Sequence, residues 1–81
     1  MNRIASVVGR ENRICELAIR RLQRKCAVFE EKYRLSSEDF YSCWQQGQME
    51  DNLDFFEWKA LIEGIDEWEK TQEELKKIAI A

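Results

Sequence analysis

The chain has 81 residues, 44% of them hydrophobic and 36% charged, a balance typical of one small folded domain and not of a disordered chain. It has no proline and only three glycines, too few breaks for the many turns of a β-rich domain. It has no histidine, which removes the commonest general base and a frequent zinc ligand.

The charges are unevenly distributed, although the net charge is only -3. Residues 1–35 hold nine Lys or Arg against four Glu, a balance of +5. Residues 36–81 hold four Lys against twelve Asp or Glu, a balance of -8. This split favours either a basic helix that faces an acidic one, or an acidic surface offered to a basic partner.

The three cysteines, Cys15, Cys26 and Cys43, have no paired spacing, which argues against a disulfide framework and a zinc site. Cys26 and Cys43 fall on apolar helix faces, as structural thiols do. The apolar runs are too short for a membrane span or a signal peptide. We therefore expect a cytoplasmic, non-enzymatic protein with no catalytic, metal-binding or cofactor-binding residues.

Residues 1–9 are compatible with a helix extension, a short strand or a flexible segment. A helical period follows from about Arg10 to Leu35. Its apolar stripe consists of Ile14, Ala18, Leu22, Cys26, Phe29 and Tyr33. Leu17, Val28 and Leu35 lie off one edge of the stripe and widen it.

Charged side chains cover the rest of this first helix. Glu16 with Arg20, and Glu30 with Arg34, have the i,i+4 spacing of helix ion pairs. Several basic residues fall on one side, namely Arg10, Arg13, Arg20, Arg21, Arg24 and Lys25. That side is either a solvated or salt-bridged face or a weak site for nucleic-acid phosphates.

A short second helix is predicted from about Ser37 to Gln46. In the stretch "SSED", Ser36 is placed to cap the helix, and two acids follow in its first turn. Phe40, Cys43 and Trp44 share one face, and Gly47 is the predicted stop.

The third helix is predicted to begin near Asn52 to Asp54 and to fray by Ile78. Asp54 and Glu57 have the spacing of a capping box. The apolar stripe reads Phe55, Trp58, Leu61, Ile62, Ile65, Trp68, Gln72 and Leu75, with Gln72 as a polar break.

These elements predict an all-α fold in a single domain, residues 1–81. Two long helices form an antiparallel hairpin, and the short helix between them closes one end. The aromatic side chains of the second and third helices meet at that end. Phe56 is the exception, because it points away from the stripe. It either packs on the short helix or is exposed for contact with a partner.

The stripe on the first helix is wider than one hairpin seam needs. Either the short helix covers the excess, or a second copy does so in a homodimeric four-helix bundle. The predicted core and dimer residues are Leu17, Leu22, Val28, Phe29, Trp44, Trp58, Leu61, Ile65 and Trp68.

The segment from Glu30 to Leu61 resembles a pattern in small helical antitoxin-like proteins of bacteria and archaea. The matching residues are Lys32-Tyr33, Ser36-Ser37-Glu38, Phe40-Tyr41 and Phe55-Phe56-Glu57-Trp58. Such proteins are often encoded beside small toxin-like proteins. The resemblance implies a protein partner encoded by an adjacent gene, although the chain has no obvious DNA-binding domain or disordered tail.

We therefore expect an interaction module that neutralises a small toxin, such as a nuclease, through its acidic half. The predicted partner-binding residues are Phe56, Glu63, Glu67 and Glu74. The alternatives are a structural or adaptor homodimer without inhibitory activity, and a weak nucleic-acid binder that acts through the basic first helix.

Overall fold

A computed structural model of the protein describes residues 3–80, with side chains described for residues 3–78. Three helices follow one another: α1 (Arg3–Tyr33), α2 (Ser37–Gln45) and α3 (Leu53–Ile80). The long helices α1 and α3 pack along each other, and α2 packs at one end of the pair. The predicted all-α hairpin with a short helix between its arms is confirmed, and no strand occurs between residues 3 and 80.

The first helix begins earlier than its clear apolar period. Residues 3–9, which the sequence left open between helix, strand and flexible segment, belong to α1. Met1 and Asn2, which were included in that prediction, lie outside the described residues. On the other arm of the hairpin, α3 continues to Ile80, beyond the predicted fraying point at Ile78.

The turn from α1 to α2 is fixed by hydrogen bonds at both helix ends. Arg34 adopts a left-handed conformation with φ of 53°, and the Leu35 amide donates to the Glu30 carbonyl, as in a Schellman motif. Ser36 is the predicted cap of α2, and its Oγ accepts from the Asp39 amide at 3.0 Å. The Glu30 carboxylate accepts from the Ser37 amide at 2.7 Å, so the predicted Glu30–Arg34 pair does not form.

The end of α2 is also a Schellman motif. Gly47 has φ of 70°, which glycine adopts without steric cost, and its amide donates to the Trp44 carbonyl. The Gln48 amide donates to the Cys43 carbonyl and completes the motif. The prediction that Gly47 stops the helix is therefore confirmed, with α2 ending one residue before the predicted Gln46.

The start of α3 differs from the predicted capping box. Asn52 is the cap, because its Oδ1 accepts from the Asp54 amide at 2.8 Å. The Asp54 carboxylate instead points to the end of α1. Its Oδ2 accepts from Lys32 Nζ and from the Tyr33 hydroxyl, both at 2.6 Å. The predicted cap is wrong because α3 begins at Leu53, which places Asp54 inside the first turn of the helix.

The core is an aromatic cluster where the three helices meet. Phe40 and Trp58 are fully buried, with their rings stacked at 4.0 Å and 5° apart in orientation. The Trp58 indole donates to Ser37 Oγ at 2.8 Å, so its polar group is satisfied inside the core. Cys26, Phe55 and Leu61 complete the buried cluster. The aromatic side chains of α2 and α3 therefore meet at the end of the hairpin that α2 closes, as the sequence predicted.

The remaining predicted core residues divide into three groups. Four are half-buried and pack against the cluster: Leu22, Phe29, Trp44 and Ile65. Trp68 is half-buried but lies outside the cluster. Leu17 and Val28 are 54% and 66% exposed, so α2 does not cover the edge of α1 on which they lie. Dimerisation through that edge stays a prediction.

Candidate partner-binding surface

Phe56, the most exposed aromatic side chain, lies at the corner where α2 packs against α3. Phe56 is 48% exposed, and its ring meets that of Trp44 edge-on at 5.1 Å and 80°. Leu53, nearly one helical turn earlier on α3, is 87% exposed. Phe56 thus both packs on the short helix and faces solvent, whereas the sequence offered these as alternatives. We call Trp44, Leu53 and Phe56 the corner patch.

Glu63 lies beside the corner patch and joins α3 to α2. Its Oε2 accepts from the Tyr41 hydroxyl at 3.0 Å, and its Oε1 lies 3.2 Å from Lys59 Nζ. The hydrogen bond to Glu63 raises the pKa of Tyr41 above its ordinary value. Lys59 Nζ also lies 5.7 Å from the Trp44 ring centroid. Glu63, one of the predicted partner-binding residues, therefore makes polar contacts with Tyr41 and Lys59 next to the Trp44 ring.

Glu67 and Glu74 lie farther along the exposed side of α3. Spacings of seven, four and seven residues place Phe56, Glu63, Glu67 and Glu74 on one face over about 27 Å. Lys70 lies 3.5 Å from Glu67, and Lys77 lies 3.2 Å from Glu74. The acids are thus interleaved with lysines of the same helix, which lowers the negative potential that the sequence balance suggested.

Lys32, Tyr33 and Asp54 form a second polar cluster, at the junction of α1 with α3. Hydrogen bonds from Lys32 and Tyr33 lower the pKa of Asp54, and the same bonds raise the pKa values of Lys32 and Tyr33. The Tyr33 ring also packs against Phe55 at 4.9 Å. This cluster fixes the level at which α3 starts beside the end of α1, and so fixes the position of Phe56.

A groove of about 600 Å³ opens on the side of the bundle where all three helices meet. Its rim carries the carboxylates of Glu30, Glu38, Asp66 and Glu69, and its apolar floor includes Ile62, Ile65 and Cys26. Burial raises the pKa of the Cys26 thiol, which therefore stays protonated at neutral pH. Sequence reasoning missed this groove because its rim comes from three helices that are distant in the chain.

No group of three Cys, Asp or Glu side chains suited to a metal ion occurs among the described residues. Within the same residues, no helix is long and apolar enough to cross a membrane. Comparisons with protein-family models, with curated proteins and with solved structures found no match for the chain. The resemblance of residues 30–61 to antitoxin-like proteins therefore stays a prediction.

Proposed function

We propose that the protein is a non-enzymatic interaction module of the antitoxin type. It binds a small basic toxin and blocks the surface through which the toxin contacts its target. The observation that carries the proposal is the corner patch, in which the exposed Phe56 ring packs edge-on against Trp44, with the exposed Leu53 one helical turn away. Aromatic side chains with supported geometry are the usual anchors of protein interfaces. The proposed partner surface consists of the corner patch and the exposed face of α3 with Glu63, Glu67 and Glu74.

The ring contacts of the corner patch support this proposal. Phe56 packs on Trp44, and Trp44 in turn packs on the buried Phe40. A ring whose orientation is already fixed loses little conformational entropy on binding, so more of its contact energy contributes to affinity. Truncation of such a central anchor weakens binding by about 2 kcal/mol or more.

The acidic side chains have a different role in the proposed complex. Glu63, Glu67 and Glu74 are solvent-accessible and paired with lysines, so each contributes little to affinity alone. Charges at the rim of an interface mainly accelerate encounter with an oppositely charged partner, and salt screens this effect. A basic toxin fits the balance of -8 in residues 36–81.

Binding to the product of an adjacent gene tests the proposal. We expect co-expression to relieve toxicity and pull-down to recover a complex. Phe56→Ala should accelerate dissociation, whereas Ile78→Ala, which truncates an exposed aliphatic side chain elsewhere on α3, should not. Replacement of Glu63, Glu67 and Glu74 by lysine should slow association at low salt.

Two outcomes would contradict this surface or this function. If the partner binds the Phe56 and glutamate variants as tightly as the parent at low and high salt, the partner surface is elsewhere. If the adjacent product does not bind the parent protein, the antitoxin-type function fails and a structural or adaptor homodimer becomes the better account.

A further inference from the structure

The side of α1 that faces away from α3 combines arginines with exposed aliphatic residues. The helical period places five arginines and three aliphatic residues on this side: Arg10, Arg13, Ile14, Leu17, Arg20, Arg21, Arg24 and Val28. We call this set the arginine face. All eight are exposed, so neither α2 nor α3 covers them.

Among the described residues, the arginines of this face have no acidic salt-bridge partner. All six salt bridges between described residues involve lysines. The predicted Glu16–Arg20 pair is absent, and Glu16 instead accepts from the Asn12 amide group at 3.4 Å. Of the sequence alternatives for this side of α1, the salt-bridged face is therefore not observed among the described residues. Guanidinium groups pair bidentately with carboxylates, so five unpaired ones on one helix face favour an acidic partner.

The aliphatic residues lie among the arginines and along one edge of them. Ile14, Arg21 and Val28 follow one another at intervals of seven, which is the spacing of a seam between two packed helices. Ile14 is 46% exposed and Val28 66%. Leu17, with Ala18 and three of the arginines, lines a surface depression of about 410 Å³. This pattern matches a helix that docks by apolar contacts flanked by charge.

The charges select the occupant of this face. A second copy packed symmetrically along it would set arginines against arginines, and like charges across an interface are repulsive. Nucleic acid would pair with the arginines through phosphates, but it would leave Leu17 and Val28 without apolar contacts. An acidic helix with its own apolar stripe satisfies both the guanidinium groups and the aliphatic seam.

The structure assigns to the arginine face a second docking function, the binding of an acidic amphipathic helix from a partner protein. The face lies on α1, whereas the proposed toxin-binding surface lies on α2 and α3. The toxin-binding surface and the arginine face can therefore be tested independently, because they consist of different residues.

A synthetic helical peptide tests this assignment directly. The probe is a fluorescent peptide of about four heptads with Leu at positions a and d and Glu at positions e and g. The matched probe has Lys in place of each Glu. We expect fluorescence anisotropy to show saturable binding of the Glu probe, weaker binding at about 1 M salt, and little binding of the Lys probe.

Variants separate charge from apolar contact. Arg21→Glu with Arg24→Glu should weaken the Glu probe about tenfold or more and strengthen the Lys probe. Leu17→Ser should also weaken the Glu probe. Lys76→Glu and Ile78→Ser, matched changes at exposed positions of α3, should alter neither affinity. Circular dichroism confirms that each variant keeps its helices, since Glu is a good helix former.

Three results would overturn the assignment. Absence of Glu-probe binding, or equal affinity for both probes, would mean that the face does not recognise an acidic helix. Tighter binding of a DNA duplex, sensitive to the arginine changes and insensitive to Leu17→Ser, would indicate nucleic acid. A dimer of the protein alone that Leu17→Ser dissociates in sedimentation experiments would assign the face to a second copy.

Discussion

Arg34 adopts a left-handed backbone conformation that is unfavourable for a non-glycine residue. It occupies the left-handed position after α1 with φ of 53°, where a non-glycine residue is strained by its Cβ atom. Glycine is the usual residue at such a position, and the sequence has none there. For this reason the sequence alone did not reveal how α1 ends, although Ser36 correctly indicated where α2 begins.

Arg34→Gly should therefore stabilise the protein. Removal of the Cβ atom relieves strain of about 1 kcal/mol, and the added flexibility of the unfolded chain offsets part of this gain. We expect a higher urea midpoint with an unchanged slope. Lys25→Gly, at an exposed position inside α1, is the control and should destabilise by about 1 kcal/mol. A loss of stability for Arg34→Gly would show that the left-handed turn is not strained.

Asp54 is a second case in which a single side chain acts differently from its local pattern. Hydrogen bonds from Lys32 and Tyr33 lower its pKa in the folded protein. A lowered folded pKa stabilises the fold above the unfolded value of about 4, and this contribution is lost as the pH falls through the folded pKa. The sequence could not predict this role, because the donors are more than twenty positions away.

Asp54→Asn should therefore destabilise the protein most near neutral pH. The difference in unfolding free energy between the parent and the variant should shrink as the pH falls below about 4, where the carboxylate becomes protonated. Urea titrations at several pH values measure this difference. Asp51→Asn, which changes an exposed carboxylate of the same connection, is the control. A difference that stays constant down to low pH would rule out a contribution from the charge of Asp54.

At the scale of helices, the sequence predicted what depends on local patterns. The 3.6-residue stripes gave the three helices and their inner faces, and Ser36 and Gly47 gave both ends of α2. The patterns also predicted that the rings of α2 and α3 meet, but not which individual side chains pair between helices. Phe56 was correctly singled out as different, but its contact with Trp44 depends on the packing of α2 against α3. The Tyr41–Glu63 hydrogen bond was missed for the same reason.

The contribution of α3 to stability should vary along its length. Leu61 is 8% exposed and belongs to the buried cluster, so Leu61→Ala should cost about 2–5 kcal/mol. Trp68 was predicted from sequence to be equally important. It is half-buried outside the cluster, so Trp68→Ala should cost less than Leu61→Ala despite the larger side chain removed. Urea denaturation ranks the two variants, and equal or reversed losses would contradict this gradient.

The whole molecule is long for its mass because two helices of 31 and 28 residues lie side by side and the short helix covers only one end of them. Its principal extents are 53 × 22 × 17 Å, and its radius of gyration of 15.9 Å exceeds the value of about 12 Å typical of a compact chain of this length. The buried aromatic cluster lies at the end that α2 closes. The open end, between the start of α1 and the end of α3, has instead an apolar groove of about 270 Å³ that includes Val7, Leu75 and Ile78.

This asymmetry predicts that the hairpin opens from its far end. Hydrogen exchange measured by NMR should give faster amide exchange in residues 5–12 and 70–78 than in residues 22–33 and 55–65. The reason is that local opening at the far end exposes few buried side chains, whereas opening at the corner disrupts the aromatic cluster.

The hydrogen bond from Gln72 to Asn12, at 3.2 Å, joins the two arms near the open end. Gln72→Ala should therefore accelerate exchange in the far-end segments and leave the corner segments nearly unchanged. If amides at both ends exchange at the same rate in the parent protein, the molecule unfolds as one unit, and the short helix stabilises the far end as effectively as the corner that it covers.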